Sequence, residues 1–313
     1  MPKTPGRTIG TALQRDAGGE RIQVCTGTYR GDLPSSGLPF NLMFVRHDRP
    51  FPFHAHEYAE LVVVLGGAST HRTDVEDFPI AAGDVFVITP PRRHGFPDPK
   101  GLELCNVQFD PARMFAGHNE LRTLMGFHAL FDLEPRWRQS PRFRARLRLD
   151  GRRLRHVRRQ LEALDAEQRG RAEGREAAIR ARFLLLVTEL CRFYAEARAG
   201  TPTPVTRLAD AVAYARRNLA KPLRLSTLAR VSRLSASQFH RVLRKAYGTS
   251  PVRWLTGLRI EQARERLRLS GDGIATIARE TGFRSASFFS TQFKRFTGVS
   301  PREYRRTVAG GGA

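Results

Sequence analysis

The chain has only three cysteines, Cys25, Cys105 and Cys191. Their wide spacing and odd number exclude a disulfide framework and a cysteine zinc pattern, and they fit a reducing compartment. Each reads as a small apolar packing residue. Long hydrophobic runs are missing too. Stretches such as Leu61–Leu65 and Phe183–Val187 are far too short to cross a bilayer, so no membrane partner is expected. The opening Met-Pro-Lys-Thr-Pro-Gly-Arg has no apolar stretch behind it, which argues against a secretory signal and for the cytoplasm. Acidic residues are scarce, 30 against 53 Lys and Arg, and only five of those 53 are lysine.

That scarcity is uneven. Residues 1–110 carry 11 basic and 13 acidic residues, residues 111–200 carry 20 and 11, and residues 201–313 carry 22 and 6, a net +16. Such a charge on about one hundred residues favours a polyanion, because each phosphate neutralised releases a counterion. An arginine-rich solvated surface is the competing explanation, and charge alone does not separate the two.

The 313 residues suffice for about two cores. Residues 1–30 show no clear periodicity. From Phe40 to Phe109 short apolar runs recur, at Asn41–Val45, Ala59–Leu65, Asp84–Ile88 and Leu102–Phe109, separated by Gly and Pro. This spacing predicts the short strands of a β-barrel or sandwich. The pattern then changes. Leu154, Val157, Leu161 and Leu164, and again Ile179, Phe183, Leu186, Leu190 and Phe193, predict two amphipathic helices joined by a polar connection at Asp165–Arg175. Gly200-Thr-Pro-Thr-Pro-Val reads as a stiff linker, with helices beyond it up to a Gly-rich tail.

The C-terminal region repeats itself. Leu228-Ala229 matches Ile277-Ala278; one inserted residue later, Phe239 matches Phe289, Leu243 matches Phe293, Gly248 matches Gly298, and Ser250-Pro251 matches Ser300-Pro301. Each copy has helix-turn-helix grammar. The small alanine lets a second helix approach. Ser235 and Ser285 can cap that helix. Residues four apart point inward together. Gly248 and Gly298 allow a left-handed ending, and Ser-Pro opens the next helix. Val252–Leu269, with Trp254, Leu255, Leu258, Ile260, Ala263 and Leu267 in helical register, predicts one helix holding the two units at a fixed separation.

At these residues, over about 206–306, the chain resembles the AraC/XylS family of bacterial transcription regulators. Gly282-Phe283 through Ser300-Pro301, with Phe-x-x-x-Phe-Lys-Arg-Phe-Thr-Gly between them, looks like the family signature. The resemblance implies seven helices, two recognition helices about one DNA turn apart, double-stranded DNA and RNA polymerase as partners, and control of nearby promoters. Carried over by position, the first recognition helix presents Ser237, Gln238, His240 and Arg241 to bases and Arg244 to phosphate. The second presents Ser285, Ala286, Ser287, Ser290 and Thr291. Many members carry Arg at the position of Thr291. Threonine lacks the bidentate contact to guanine, so the second unit is expected to read weakly or by shape.

His54-Ala-His56-Glu57-Tyr-Ala-Glu60, then six residues to Gly67, resembles the first motif of cupin barrels. Gly83–Pro90 followed by His94 fits the second motif loosely, with Arg where glycine is expected. The stretch 40–110 resembles the sugar-sensing arm of such regulators, closest in wording to the rhamnose-responsive members. Three imidazoles and a carboxylate (His54, His56, Glu60, His94) could hold a divalent metal. The same groups could instead hydrogen-bond a small-molecule effector, with Phe53, Tyr58 or Phe96 offering a face. No cofactor is required by either reading.

The expected architecture is a two-domain α+β protein. It has an N-terminal arm (1–35), a cupin-like β-barrel sensing domain (36–112), a helical segment (113–199) that the family resemblance assigns to homodimerisation, a linker (200–206), a double helix-turn-helix DNA-binding domain (207–306) and a tail (307–313). The expected function is a non-enzymatic, small-molecule-responsive transcription regulator, with activation among its outputs, acting on the bacterial nucleoid. A cupin enzyme, such as a metal-dependent dioxygenase or sugar isomerase with a DNA-binding appendix, is the competing class. An architectural DNA binder is a third, and it would not need polar residues in a barrel mouth.

Overall fold

The computed structural model describes residues 11–15, 21–28, 37–74, 76–90, 92–137, 147–198 and 203–310. The chain forms two compact units. One comprises Met1–Ala116 and Leu130–Ala197, the other Gly117–Ala129 and Arg198–Ala313. No helix among the described residues is long and apolar enough to cross a membrane.

The first unit is built on strands β1 (Thr11–Arg15), β2 (Arg21–Thr28), β3 (Phe40–His47), β4 (Phe51–Ala55), β5 (Ala59–Thr73), β6 (Phe78–Ala81), β7 (Asp84–Ile88), β8 (His94–Phe96), β9 (Lys100–Phe109) and β10 (Leu147–Arg148). The four runs expected from the pattern are β3, β5, β7 and β9. Strands β1 and β2, in a stretch where no period is visible, are additional. β5 organises the sheet. Ala59–Val64 pairs with β9 and, through Glu60–Val63, with β7, whereas Ala68–Thr73 pairs with β6 and β8. The strand path β1-β2-β4-β8-β5-β7-β10 has two ends. The fold is therefore cupin-like but open among the described residues, where the sequence led us to expect a β-barrel. The strands turn a corner at the long β5 instead of closing into a ring.

Alternation decides which face of these strands is buried. Even-numbered positions of β5 to β9 meet in one interior cluster of Val62, Val64, Ile80, Phe86, Ile88, Phe96, Leu102 and Leu104. Burying each such side chain is worth about 1.5–3 kcal/mol. A short helix α1 (Pro111–Met114), capped by Asp110, follows β9. Outside the sheet lie α4 (Gly151–Arg169) and α5 (Arg175–Arg198), after the one-turn helices α2 (Met125–Phe127) and α3 (Glu134–Trp137). α4 buries Val157, Leu161 and Leu164. Phe183 of α5 packs on the rings of Phe40 and Phe109 at 5.6 and 4.9 Å. The Gln168 amide clasps the backbone of Leu42 from both sides, at 2.8 and 3.1 Å. The connection between these helices is shorter than Asp165–Arg175. The Arg169–Asp165 ion pair, one helical turn apart at 3.0 Å, lies inside α4, and only residues 170–174 separate the helices.

The second unit holds α6 (Pro204–Arg217), α7 (Leu225–Val231), α8 (Ala236–Tyr247), α9 (Pro251–Leu269), α10 (Ile274–Glu280), α11 (Ala286–Thr297) and α12 (Pro301–Gly310). α6 begins earlier than the expected linker allows. Thr203 and Thr206 form a capping box and Pro204 takes the first helical position, which pre-sets the helix. Residues 200–202 of that linker and 311–313 of the tail lie outside the described residues. Residues 117–129 belong to this unit as well. Their one-turn helices Leu121–Thr123 and α2 pack on α6. Arg122 pairs with Glu261 at 3.2 Å, and Arg217 donates to the Thr123 carbonyl at 2.6 Å.

Candidate nucleic-acid interface and histidine–glutamate centre

Each repeat folds as its local chemistry dictates. Ser235 accepts from the Gln238 amide and Ser285 from the Phe288 amide, capping α8 and α11. Gly248 and Gly298 end those helices with φ of 66° and 84°. Phe239, Leu243, Phe289 and Phe293 are at most 1% exposed. The second unit's core joins Phe283, Phe289 and Phe293 to Ile260, Ala263 and Leu267 of α9. Because α9 also packs on α8, one helix braces both helix-turn-helix elements.

With the inward positions filled, the opposite faces are left to solvent. Ser237, Gln238, His240, Arg241 and Arg244 are all exposed on α8. Ser285, Ala286, Ser287 and Thr291 are exposed at α11, and Ser290 is half-buried. The two faces differ in what they can offer. Ser290 and Thr291 hydroxyls donate back to the Ala286 and Ser287 carbonyls at 2.9 and 3.2 Å. His240, Arg241 and Arg244 have their long polar ends on the open face of α8. Gln238 is partly engaged, because its Oε1 accepts from the Ser235 amide at 3.1 Å. The exposed Phe288 ring of α11 was not singled out from the sequence, since an aromatic run reads as core.

In the first unit four elements converge. His54 comes from β4, His56 from the turn after it, Glu60 from β5 and His94 from β8, and they are 6, 2, 3 and 1% exposed. They do not share one strand; the β4–β8 and β5–β8 ladders bring them together. His56 Nε2 and His94 Nε2 lie 3.7 and 3.6 Å from Glu60 Oε2. These three residues offer ligand atoms all within 4.8 Å of one another. His54 stands next to them, its ring 4.2 Å from that of His94, but outside that trio.

The surroundings orient the trio. His56 Nδ1 faces the Tyr58 carbonyl at 2.7 Å. A proton on Nδ1 leaves the lone pair on Nε2, the arrangement that metal-ligating histidines use. Tyr58 stacks on His56 at 4.3 Å between ring centroids. Gln108 of β9, directly opposite Glu60 in the ladder, donates to Tyr58 Oη at 2.9 Å and to Glu60 Oε1 at 3.4 Å. Asn41 donates to Gln108 Oε1 at 2.8 Å. Gln108 is the residue sequence reasoning missed. Its signal is a glutamine on the same strand face as Leu102 and Leu104.

Electrostatics fit the geometry. Burial lowers His94, and burial together with the neighbouring His94 lowers His54 to about 3, so both rings are neutral at pH 7. Burial alone would raise the Glu60 carboxyl. An Nε2–H of His56 or His94 turned toward the carboxylate outweighs burial and holds the group below the usual carboxylate range; with the lone pairs on Nε2 instead, a cation would take that part. The centre is thus a carboxylate among nitrogen donors.

Residues 43–181 match the AraC-like ligand binding domain, and residues 228–307 match a helix-turn-helix domain. The HTH-type transcriptional activator RhaS of Escherichia fergusonii is 29% identical, over 82% of this chain and 88% of its own length. The HTH-type transcriptional activator RhaR of Cronobacter sakazakii is also 29% identical, over 82% and 87%. The DNA-binding domain of AdpA, solved in complex with a target DNA, is 32% identical over 34% of this chain and 96% of that one, with a TM-score of 0.33. With a ligand-binding half and a helix-turn-helix half matched in this order along one chain, the protein belongs to the AraC family of DNA-binding transcription regulators.

Proposed function

We propose that the protein reads two neighbouring segments of major groove through the exposed faces of α8 and α11, under control of a small molecule bound by the sheet-rich unit. The observation that carries this is the pair of polar faces, each backed by a closed apolar core and braced by α9. Arg241, with Ser237, Gln238 and His240, supplies most of the direct reading, and Arg244 reaches the phosphate backbone. Ser285, Ala286, Ser287, Ser290 and Thr291 add contacts with less donor capacity, because two of the hydroxyls are spent on their own helix. The setting is cytoplasmic, the output runs through RNA polymerase, and no catalytic step is assigned. The effector is a small hydroxylated metabolite of the sugar class. The exposed Leu185 on α5, 53% accessible, favours a homodimer seam on that face. Selecting duplexes from a random pool with the full chain tests the reading. A defined sequence should emerge, and equal affinity for selected and random DNA at physiological salt would overturn it.

His56, Glu60 and His94 fit a divalent transition metal. Separations of 3.6–3.7 Å are too long for hydrogen bonds. They match the spacing of about 3.4 Å between ligand atoms that tetrahedral bonds of 2.0–2.2 Å require. A metal there would supply a Lewis-acidic point for a hydroxyl or carboxylate of the effector. Gln108 and Tyr58 would hold the carboxylate and the His56 ring in place. Elemental analysis of the purified full chain should find about one metal per chain, and Glu60→Gln should lose it. Effector binding unaltered by chelation would favour the metal-free reading.

A further inference from the structure

A cleft of about 480 Å³ lies in the second unit between the two helix-turn-helix elements. Four guanidiniums border it. Arg224 immediately precedes α7, Arg259 sits on α9, Arg279 lies at the end of α10, and Arg284 stands in the turn just before Ser285. No carboxylate lines the cleft. Arg224, Arg279 and Arg284 are exposed. Arg259 is half-buried; its Nη2 donates to the Lys221 carbonyl at 3.3 Å, and its Nε is buried without a hydrogen-bond partner. Gly282 makes room for that guanidinium, since a Cβ there would come within 2.8 Å of its Nε. The Phe288 ring, 56% exposed, forms an apolar wall. Four like charges gathered around one opening repel one another, and an anion relieves that repulsion.

The anion is identified by where the cleft lies. The residue preceding α7, helix α9 and the α10–α11 turn all contribute to it, and it adjoins the start of recognition helix α11. In helix-turn-helix proteins the first helix crosses the sugar–phosphate backbone while the second enters the groove. Two recognition helices in successive major-groove segments leave a minor groove between them, bordered by phosphates. The second repeat carries one residue more than the first, between Phe283 and the cap Ser285, and that residue is Arg284. We infer that this arginine cleft clamps a DNA backbone phosphate beside the minor groove between the two half-sites, with Phe288 against the adjoining sugar. The inference rests on the DNA-binding reading above and deepens it. The cleft fixes register and adds affinity, and it carries no base information.

The test uses the full chain and the duplex it selects from a random pool. Arg284→Gln and Arg259→Gln should each lower the slope of log affinity against log salt by about 0.9, the contribution of one phosphate. Selected and random duplexes should weaken by the same factor, leaving their ratio unchanged. A methylphosphonate scan should find one central position where neutralising the phosphate weakens the wild type several-fold and leaves Arg284→Gln unaffected. Arg259→Lys should recover most of the slope. Arg284 is exposed, so its variant answers even if Arg259→Gln perturbs the fold. Unchanged slopes in both variants, with full sensitivity to every methylphosphonate, would overturn the inference. So would intact DNA binding combined with lost activation of polymerase in a purified system, which would assign the cleft to an acidic protein surface. Failure of the DNA-binding reading itself looks different, because the wild type would then select no sequence.

Discussion

Arg233 and Gly282 occupy equivalent turns of the two repeats, and both have a left-handed backbone, with φ of 53° and 85°. The hydrogen bonds that fix the turn are the same: Leu234 donates to Ala229 at 3.0 Å, and Phe283 donates to Ala278 at 2.9 Å. A side chain in that conformation costs about 1–2 kcal/mol, which glycine avoids. Arg233→Gly should therefore raise stability by about 0.5–1 kcal/mol after the added freedom of the unfolded chain is deducted, as read by urea unfolding. Gly282→Ala should do the reverse and cost more than about 1 kcal/mol, because its Cβ would fall 2.0 Å from the Leu219 carbonyl oxygen. At the same scale, burial pushes the Cys105 and Cys191 thiols up. Both should resist iodoacetamide in the native protein and react on unfolding, which site-resolved mass spectrometry can follow. His54, His56 and Glu60 were legible as a motif because their spacing is a property of one short segment, whereas His94 came only from a second, looser motif. Gln108 was not, because its partnership with Glu60 exists only through a ladder between residues 48 positions apart. Only the repeat, which pairs Arg233 with Gly282, marks Arg233 as left-handed, because arginine itself has no preference for that conformation.

Elements were readable where their cause is local. Serine caps, left-handed glycines and apolar pairs four apart all act within one or two turns, so α8 and α11 could be placed from the repeat alone. β5 shows the opposite case. Its apolar half, Ala59–Leu65, is plain in the sequence, but Gly66-Gly-Ala-Ser-Thr-His-Arg-Thr73 reads as loop. That half is a strand because β6, β8 and β9 pair with it, and tertiary pairing overrides propensity. Two contrasts test the recognition elements. Phe289→Ala, fully buried, should cost about 3–5 kcal/mol, whereas its exposed neighbour Phe288 should tolerate alanine within about 0.5 kcal/mol; thermal unfolding separates them. On the selected duplex, Arg241→Ala should cost about 1–3 kcal/mol and relax preference at one or two base pairs. Thr291→Ala should cost less, since its hydroxyl already serves Ser287. A larger loss at Thr291 would invert the roles assigned to the two helices.

For the whole molecule the charge map is the main determinant of association. Residues 201–313 carry a net +16, while residues 1–110 carry 13 acidic against 11 basic residues. Affinity for DNA should fall by orders of magnitude between 50 and 200 mM salt if about six or more phosphates are engaged, and a titration over that range measures it. Composition revealed this asymmetry and the pattern revealed two kinds of architecture. What no pattern revealed is the route of the chain, which leaves the sheet-rich unit after Ala116, lends Gly117–Ala129 to the helical unit, and returns. The loan matters to anyone dissecting the gene. α6 is apolar on nearly every side, with Leu208, Ala209, Ala211, Val212, Ala213 and Ala215 all buried, and part of its cover is the stretch carrying Leu121 and Phe127. A truncation beginning at residue 203 would shear off that cover and leave a raw hydrophobic seam. Such a fragment should bind a hydrophobic dye and melt at a lower temperature than one with residues 117–129 grafted back through a Gly/Ser tether. Equal melting of the two would mean that the borrowed stretch adds nothing to the helical unit; otherwise the most stable form of that unit joins two segments that are not contiguous in the gene.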